Sequence, residues 1–523
     1  MSNTFAYDMV DYPAHVFPQM HPSRLAAIGR LHGIAAASPL QCRLLEIGCG
    51  DGLQLITLAM AYPDAEFVGV DLSAKAIARG DAMRARLGLH NLRLVAADLL
   101  EWNPGEAAYD YITAHGFWSW VPDVVRGRLL ALCEQKLAAA GIAYVSYNAM
   151  PGCHLRRMLW DMMKFHVRDV SDPSEKTRRA REFLAWLGND LLSRKIYADA
   201  VRAEALDLLN ATHPTVLFHD DLSEINDPFT ITDFVARARA SGLDFLAEAD
   251  YHEMSDVAAP PQVRERLAMH AGGDVVRREQ YLDFLQGRRF RQTLLCRRHA
   301  LQSRTPDATS LQTMEVAGQL RVEGSDPEPT TRAPVQFVNQ GGAALTIDLP
   351  VAKAAFALIG ASFPQPLAFG ALLELARTRT GSSADIADDR AALSEVLASA
   401  FEIGLVNLYC NPPRFAAAPG DRPRVSPLVE LQLEAGLDLV ASLRPSMARL
   451  DNGVTFELVR LLDGKRDRAA ILRDLSARMS RHPIPDGGGN SLRQPEAWWR
   501  ERLAPELEGG LQQVARMSLL VED

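Results

Sequence analysis

Residues 43–52 read RLLEIGCGDG. Leu44 to Ile47 form a short, mostly apolar strand, and Gly48, Gly50 and Gly52 follow it. The next ten residues, LQLITLAMAY, have the apolar content of a buried helix. Strand, glycine turn and helix bring a ligand against backbone N–H groups at a helix N-terminus. The spacing is GxGxG and not the GxGxxG of dinucleotide loops, because Leu53 holds the sixth position. Glu46 stands just before the first glycine. It would repel a pyrophosphate there, and it would tolerate a zwitterionic ligand carrying a sulfonium.

The sequence around this loop repeats one pattern. EFVGVD reads as a second strand ending at Asp71, nineteen positions after Gly52, where a carboxylate can accept both hydroxyls of a ribose. Ser73 is a helix cap, and Gly88 closes the helix it opens. NLRLVAAD reads as a third strand ending at Asp98, placed to accept from an adenine amine. Glu46, Asp71 and Asp98 thus fall near successive strand ends, in register with the glycines. This combination resembles the class I S-adenosylmethionine-dependent methyltransferases. The resemblance implies an α/β fold with a seven-stranded Rossmann-like sheet and S-adenosyl-L-methionine as cofactor. It implies a cofactor site of Glu46, Gly48, Cys49, Gly50, Gly52, Asp71, Leu72, Asp98 and Leu99, with His115 beside it.

Residues 109–113, YDYIT, read as strand four, and AHGFWSWVP follows. Ligands of such sheets lie beyond the carboxyl ends of the strands. His115 and the aromatic Phe117, Trp118 and Trp120 are therefore expected to border the donor methyl group. Trp118 is assigned to the acceptor, and Trp120 to packing under the next helix. Strand five is expected over 141–152, GIAYVSYNAMPG, with Tyr147 and Asn148 at its end. The Asn148 amide can orient an incoming amine, or only begin a turn. His115 or Tyr147 can assist deprotonation of that amine. The catalytic candidates are His115, Trp118, Tyr147 and Asn148.

Longer strings sharpen the resemblance. YDMVDYPAHVFPQMHPSRLAAIGRLHGI, CRLLEIGCGDG, FVGVDLS, DYITAHGFWSWVP, YVSYNAMPG and FHDDLSEINDPF are similar to bacterial methyltransferases with a methyltransferase regulatory domain. Members with assigned activity include protein lysine methyltransferases of the rickettsial outer-membrane-protein type. The resemblance implies a protein lysine as acceptor. It also implies an N-terminal lid over the cofactor, which would bring Tyr7, Tyr12 and His21 to the site. Cys153 and Phe117-Trp118 depart from the family pattern near the expected acceptor.

The expected organisation is a methyltransferase core over 1–300, with its lid at 1–33 and a helical insertion at 153–218. Residues 219–300 complete the sheet as the regulatory segment. Residues 301–335 are expected as a linker. Winged-helix-like units follow at 336–411 and 425–523, suggested by Phe356, Leu358, Leu372 and Leu375 recurring as Phe456, Leu458, Leu472 and Leu475. These units suit protein contact or a homodimer. The chain has 523 residues, 48% hydrophobic and 23% charged, with a net charge of −9. That balance gives no basic footprint for nucleic acid. No apolar run reaches the length of a membrane span. Six scattered cysteines without a CxxC pair argue against a zinc site or disulfide framework and fit the cytoplasm. His219-Asp220-Asp221 is expected as a loop or cap and not as a metal site. Two other functions stay open: methylation of a small molecule, and a noncatalytic scaffold.

Overall fold

A computed structural model describes residues 9–189, 195–211, 213–324, 330–450, 453–482, 484–485 and 491–522. Its centre is a seven-stranded sheet: β1 Arg43–Ile47, β2 Glu66–Asp71, β3 Leu92–Ala96, β4 Tyr109–Ala114, β5 Leu137–Asn148, β6 Leu243–Glu248 and β7 Phe290–Arg297. The strand order is β3-β2-β1-β4-β5-β7-β6. β1 to β5 run parallel, and β7 runs antiparallel between β5 and β6. The order reverses between β1 and β4, which opens a crevice beyond their carboxyl ends. β5 starts four residues before the expected Gly141, because Leu137 already pairs with Tyr109.

Side chains alternate across the sheet, as the pleat requires. Ile142 and Tyr144 of β5 enter one apolar layer, while Ala143, Val145 and Tyr147 enter the other. The regulatory segment is locked to the sheet by a buried charge group. Arg291 on β7, fully buried, donates from Nε to Asp283 at 3.0 Å and from Nη1 to Glu248 at 2.6 Å. Such a group holds only while every member is paired. The insertion forms the helices Cys153–His166, Pro173–Asn189 and Lys195–Ala211 around a core of their own.

The segment expected as a linker is largely built into the fold. It holds a helical turn at Ala308–Thr313, β8 at Glu315–Ala317 and β9 at Arg321–Glu323. β10 Val335–Val338 and β11 Ala344–Ile347 extend β9 into one small sheet. β8 lies between β12 Leu367–Ala368 and β13 Asn407–Tyr409 in another. The physical reason is burial: Leu311, Met314 and Val316 join Phe356, Leu372 and Leu397 in the apolar layer that also contains Leu55, Tyr111 and Tyr144. The Cys410 amide donates to Ser23 O at 3.0 Å, and the Tyr62 hydroxyl to Asn411 O at 2.9 Å. A further core, Val425 to Leu520, is built on the helices Pro427–Glu434, Arg468–Met479 and Glu496–Arg516.

Candidate active site

The glycine loop is shaped by its backbone. Gly48, Gly50 and Gly52 have φ of 72°, 57° and 73°, values that L side chains resist. A Cβ on Gly48 would stand 2.8 Å from the Phe117 ring, so only glycine lets that ring lie over the loop. Around Gly50 nothing comes within 4 Å of the same position, which leaves open space at the turn. Asp71 holds the loop from below. Its carboxylate accepts from the Gly50 amide and from the Ser73 amide, each at 2.8 Å. Leu72 beside it is exposed. Asp98 lies at the surface and accepts from the Leu100 amide at 2.9 Å, while Leu99 packs inward.

Glu46 is buried at the end of β1, and its Oε2 has no hydrogen-bond partner. Burial, and then the carboxylates of Asp71 and Asp51, push its carboxyl up to about 8. An orphaned buried acid beside an open glycine cradle suits a ligand bearing positive charge. Together with Asp71, these residues fit S-adenosylmethionine, whose sulfonium and ammonium are cationic. The Cys49 thiol is buried and held up by its surroundings and these carboxylates, so it serves packing.

His115 follows β4. Its ring lies 3.8 Å from Phe17 of the N-terminal arm, centroid to centroid. Its tautomer follows from a chain of bonds. The Asp250 carboxylate only accepts, so the Gln292 Nε2 at 3.2 Å must donate to it. Gln292 Oε1 then faces the Tyr144 hydroxyl, which donates at 2.8 Å. Tyr144 oxygen therefore accepts from His115 Nδ1–H at 2.8 Å. Nε2 keeps the lone pair. Burial pulls the imidazole down to about 3. Burial thus works against the assisting role expected for His115 and leaves it suited to orientation.

Other expectations are corrected by burial. Trp118 is fully buried, edge-on to Phe234 at 5.0 Å and Phe229 at 5.8 Å, as a core side chain is. The half-buried rings of this loop are Phe117 and Trp120. The two-residue spacing places Trp118 and Trp120 differently because the loop winds into a 3-10 turn at Trp118–Trp120. Tyr147 is also fully buried, stacked on Phe234 at 4.3 Å, and its oxygen accepts from Thr293. Burial raises its phenol further, so it is no base. His21 is a buried helix cap whose Nδ1 accepts from the Ser23 amide. Tyr12 turns its hydroxyl to Asp220 Oδ2 at 3.4 Å. Tyr7 lies outside the described residues.

Asn148 stays at the crevice, half-buried. Its backbone amide donates to Ser119 Oγ at 2.9 Å, and its Nδ2 to Asn226 Oδ1 at 2.7 Å. Asn226 donates in turn to Asp220 O at 2.8 Å, and Trp120 Nε1 reaches the same oxygen at 3.4 Å. No periodicity or spacing brings residues 219–226 to this point. A signal was present in the acidic pair after an aromatic, HDD, which forms part of a π-helical turn at Leu217–Asp221. Such turns gather at functional sites.

Three segments of the chain match known protein families. Residues 44–141 match a methyltransferase domain, residues 213–297 a predicted methyltransferase regulatory domain, and residues 421–519 the C-terminal winged helix domain of PKMT. An uncharacterized protein of Rickettsia prowazekii is 36% identical over 291 residues, which are 55% of this chain and 52% of that protein. The chain thus spans about half the length of that relative. A second uncharacterized protein of the same organism is 31% identical over 246 residues, 47% of this chain and 98% of its own length. PKMT2 from Rickettsia typhi, also solved in complex with AdoHcy, superimposes with a TM-score of 0.85 at 23% identity, covering 98% of this chain and all of that one. At that identity the likeness shows the fold.

Proposed function

Because the chain belongs to the methyltransferases that carry a methyltransferase regulatory domain, we propose that it transfers the methyl group of S-adenosylmethionine to a lysine side chain of a protein. The observation that carries the acceptor is the match of residues 421–519 to the winged helix domain of PKMT, the protein lysine methyltransferases. When bound, the cofactor supplies an electrophilic methyl group. In this reading Asp71 accepts from the ribose hydroxyls and Asp98 from the adenine amine. Glu46 answers the positive charge of the donor. Phe17, Phe117 and His115 exclude water around the reacting methyl group. Asn148 aligns the amine in line with the methyl–sulfur bond, the in-line geometry that displacement needs. Among the described residues no helix is long and apolar enough to cross a membrane. The six cysteines are free thiols, which favours a cytoplasmic site of action.

Incubating the full chain with methyl-tritiated S-adenosylmethionine and a bacterial extract tests this. Label in protein bands is the expected result. Label confined to the small-molecule fraction would move the assignment to a metabolite methyltransferase.

A further inference from the structure

The N-terminal arm, the loop after β4, the end of β5 and the π-helical turn meet around one residue, Asp220, the arm at its carboxyl group and the loop at its main-chain carbonyl. Tyr12 of the arm donates to Asp220 Oδ2 at 3.4 Å. Trp120 and Asn226 both donate to the Asp220 carbonyl, and Asn226 is held by Asn148 of β5. The arm is anchored just before Tyr12. Val10 O receives His219 Nε2 at 2.8 Å, and Asp11 pairs with Arg79 at 3.0 Å on the helix after β2. The half-exposed Tyr12 meets the carboxyl through its hydroxyl, and the half-exposed Trp120 meets the carbonyl of the same residue; aromatic rings near an anion are a receptor for an organic cation. No guanidinium or ammonium pairs with Asp220 among the described ion pairs, whereas its neighbour Asp221 accepts from Trp160 Nε1 at 2.6 Å and has Arg156 at 3.9 Å.

We propose that Asp220 is the acceptor-site carboxylate: it binds the substrate's ammonium between Tyr12 and Trp120 and takes one proton from it. The inference rests on the lysine reading for the identity of that ammonium. In the step, the N–H bond of R–NH3+ breaks and its proton goes to the Asp220 carboxylate. The nitrogen lone pair then forms the N–CH3 bond as the methyl–sulfur bond breaks, its electron pair staying on sulfur. The products are R–NH2–CH3+ and the neutral thioether, and the Asp220 carboxyl returns its proton to water. Burial and the Asp221 carboxylate raise the Asp220 acid to about 7, and the Tyr12 hydroxyl works the other way. His219, against the Tyr12 ring, is lowered by burial and stays neutral above its usual value. Asp220 is therefore half ionised near neutrality and a far better base than His115.

Initial rates of label transfer to the extract, measured from pH 5.5 to 9 on the full chain, test the proposal. The wild-type rate should climb with pH through about 7. Asp220→Asn should lose at least a hundredfold in rate and the climb with it, while S-adenosylhomocysteine affinity stays within twofold. Asp220→Glu should recover part of the rate. Tyr12→Phe removes the donor to the carboxylate and should move the climb to higher pH; it serves as the second variant if Asp220→Asn folds poorly. A wild-type rate and pH profile in Asp220→Asn, or an unmoved climb in Tyr12→Phe, overturns the proposal. The fraction that takes the label decides the lysine reading separately, since the variants are scored on whichever fraction the wild type labels.

Discussion

At the scale of single residues, burial decides roles that spacing leaves open. Trp118 and Trp120 are two residues apart, yet one is core and the other lines the crevice. Truncating a fully buried tryptophan removes its transfer energy and leaves a cavity. Trp118→Ala should therefore cost about 3–5 kcal/mol of stability, read from urea denaturation, with turnover per folded molecule close to wild type. Glu46 gives a prediction in pH. Its carboxyl is raised from the ordinary 4.5 to about 8, so the folded chain without ligand binds a proton that the unfolded chain has released between those values. This term stabilises the fold at low pH and is lost as pH rises through about 8. A cationic ligand prefers the ionised form, so S-adenosylmethionine affinity should rise with pH, by up to about tenfold per unit below that value. Calorimetry in buffers of different ionisation enthalpy should detect the released proton. Glu46→Gln should flatten the pH dependence.

At the scale of elements, the parts read from the sequence were those with a backbone reason. The positive φ of Gly48, Gly50 and Gly52 and the Ser73 cap, whose Oγ accepts from Ala76 N at 3.1 Å, are local, and local chemistry predicts them. β6 and β7 fall inside residues 219–300, the segment expected to complete the sheet, because apolar runs bounded by polar helices have few other readings. Long-range contacts left no such trace. Residues 301–335 are rich in turn formers, which suggested a linker, but Leu311, Met314 and Val316 are buried by partners far along the chain. The contact of Asp220 with Tyr12 spans 208 positions and has no periodic signature. Gly80 is another such case. It lies inside the helix Ala74–Arg86, where a Cβ would stand 2.0 Å from Asp51 O of the glycine loop. Gly80→Ala must push that helix from the loop, at about 1–3 kcal/mol for overpacking. A lower melting temperature with weaker cofactor binding is expected; an unchanged affinity would show that the loop does not depend on this contact.

At the scale of the whole molecule, the catalytic sheet and the unit after it share one apolar layer, whereas residues beyond about 425 have a core of their own. A chain ending at residue 300 would lose the partners of Tyr62, whose hydroxyl donates to Asn411 O, and of Tyr251, stacked on Phe401 at 5.0 Å, so it should aggregate or fail to fold. A chain ending near residue 420 should fold and keep its affinity for S-adenosylhomocysteine while losing transfer to protein, if the last unit presents the substrate. Sedimentation and calorimetry on the two truncations check this. The central claim is that the crevice after β4 and β5 methylates a lysine amine. It is tested most directly by hydrolysing protein labelled from methyl-tritiated S-adenosylmethionine by the full chain and separating the amino acids. The account predicts radioactivity co-eluting with methylated lysines, and none when Asp71→Ala replaces the wild type. Radioactivity in any other amino acid, or in no protein at all, would contradict it.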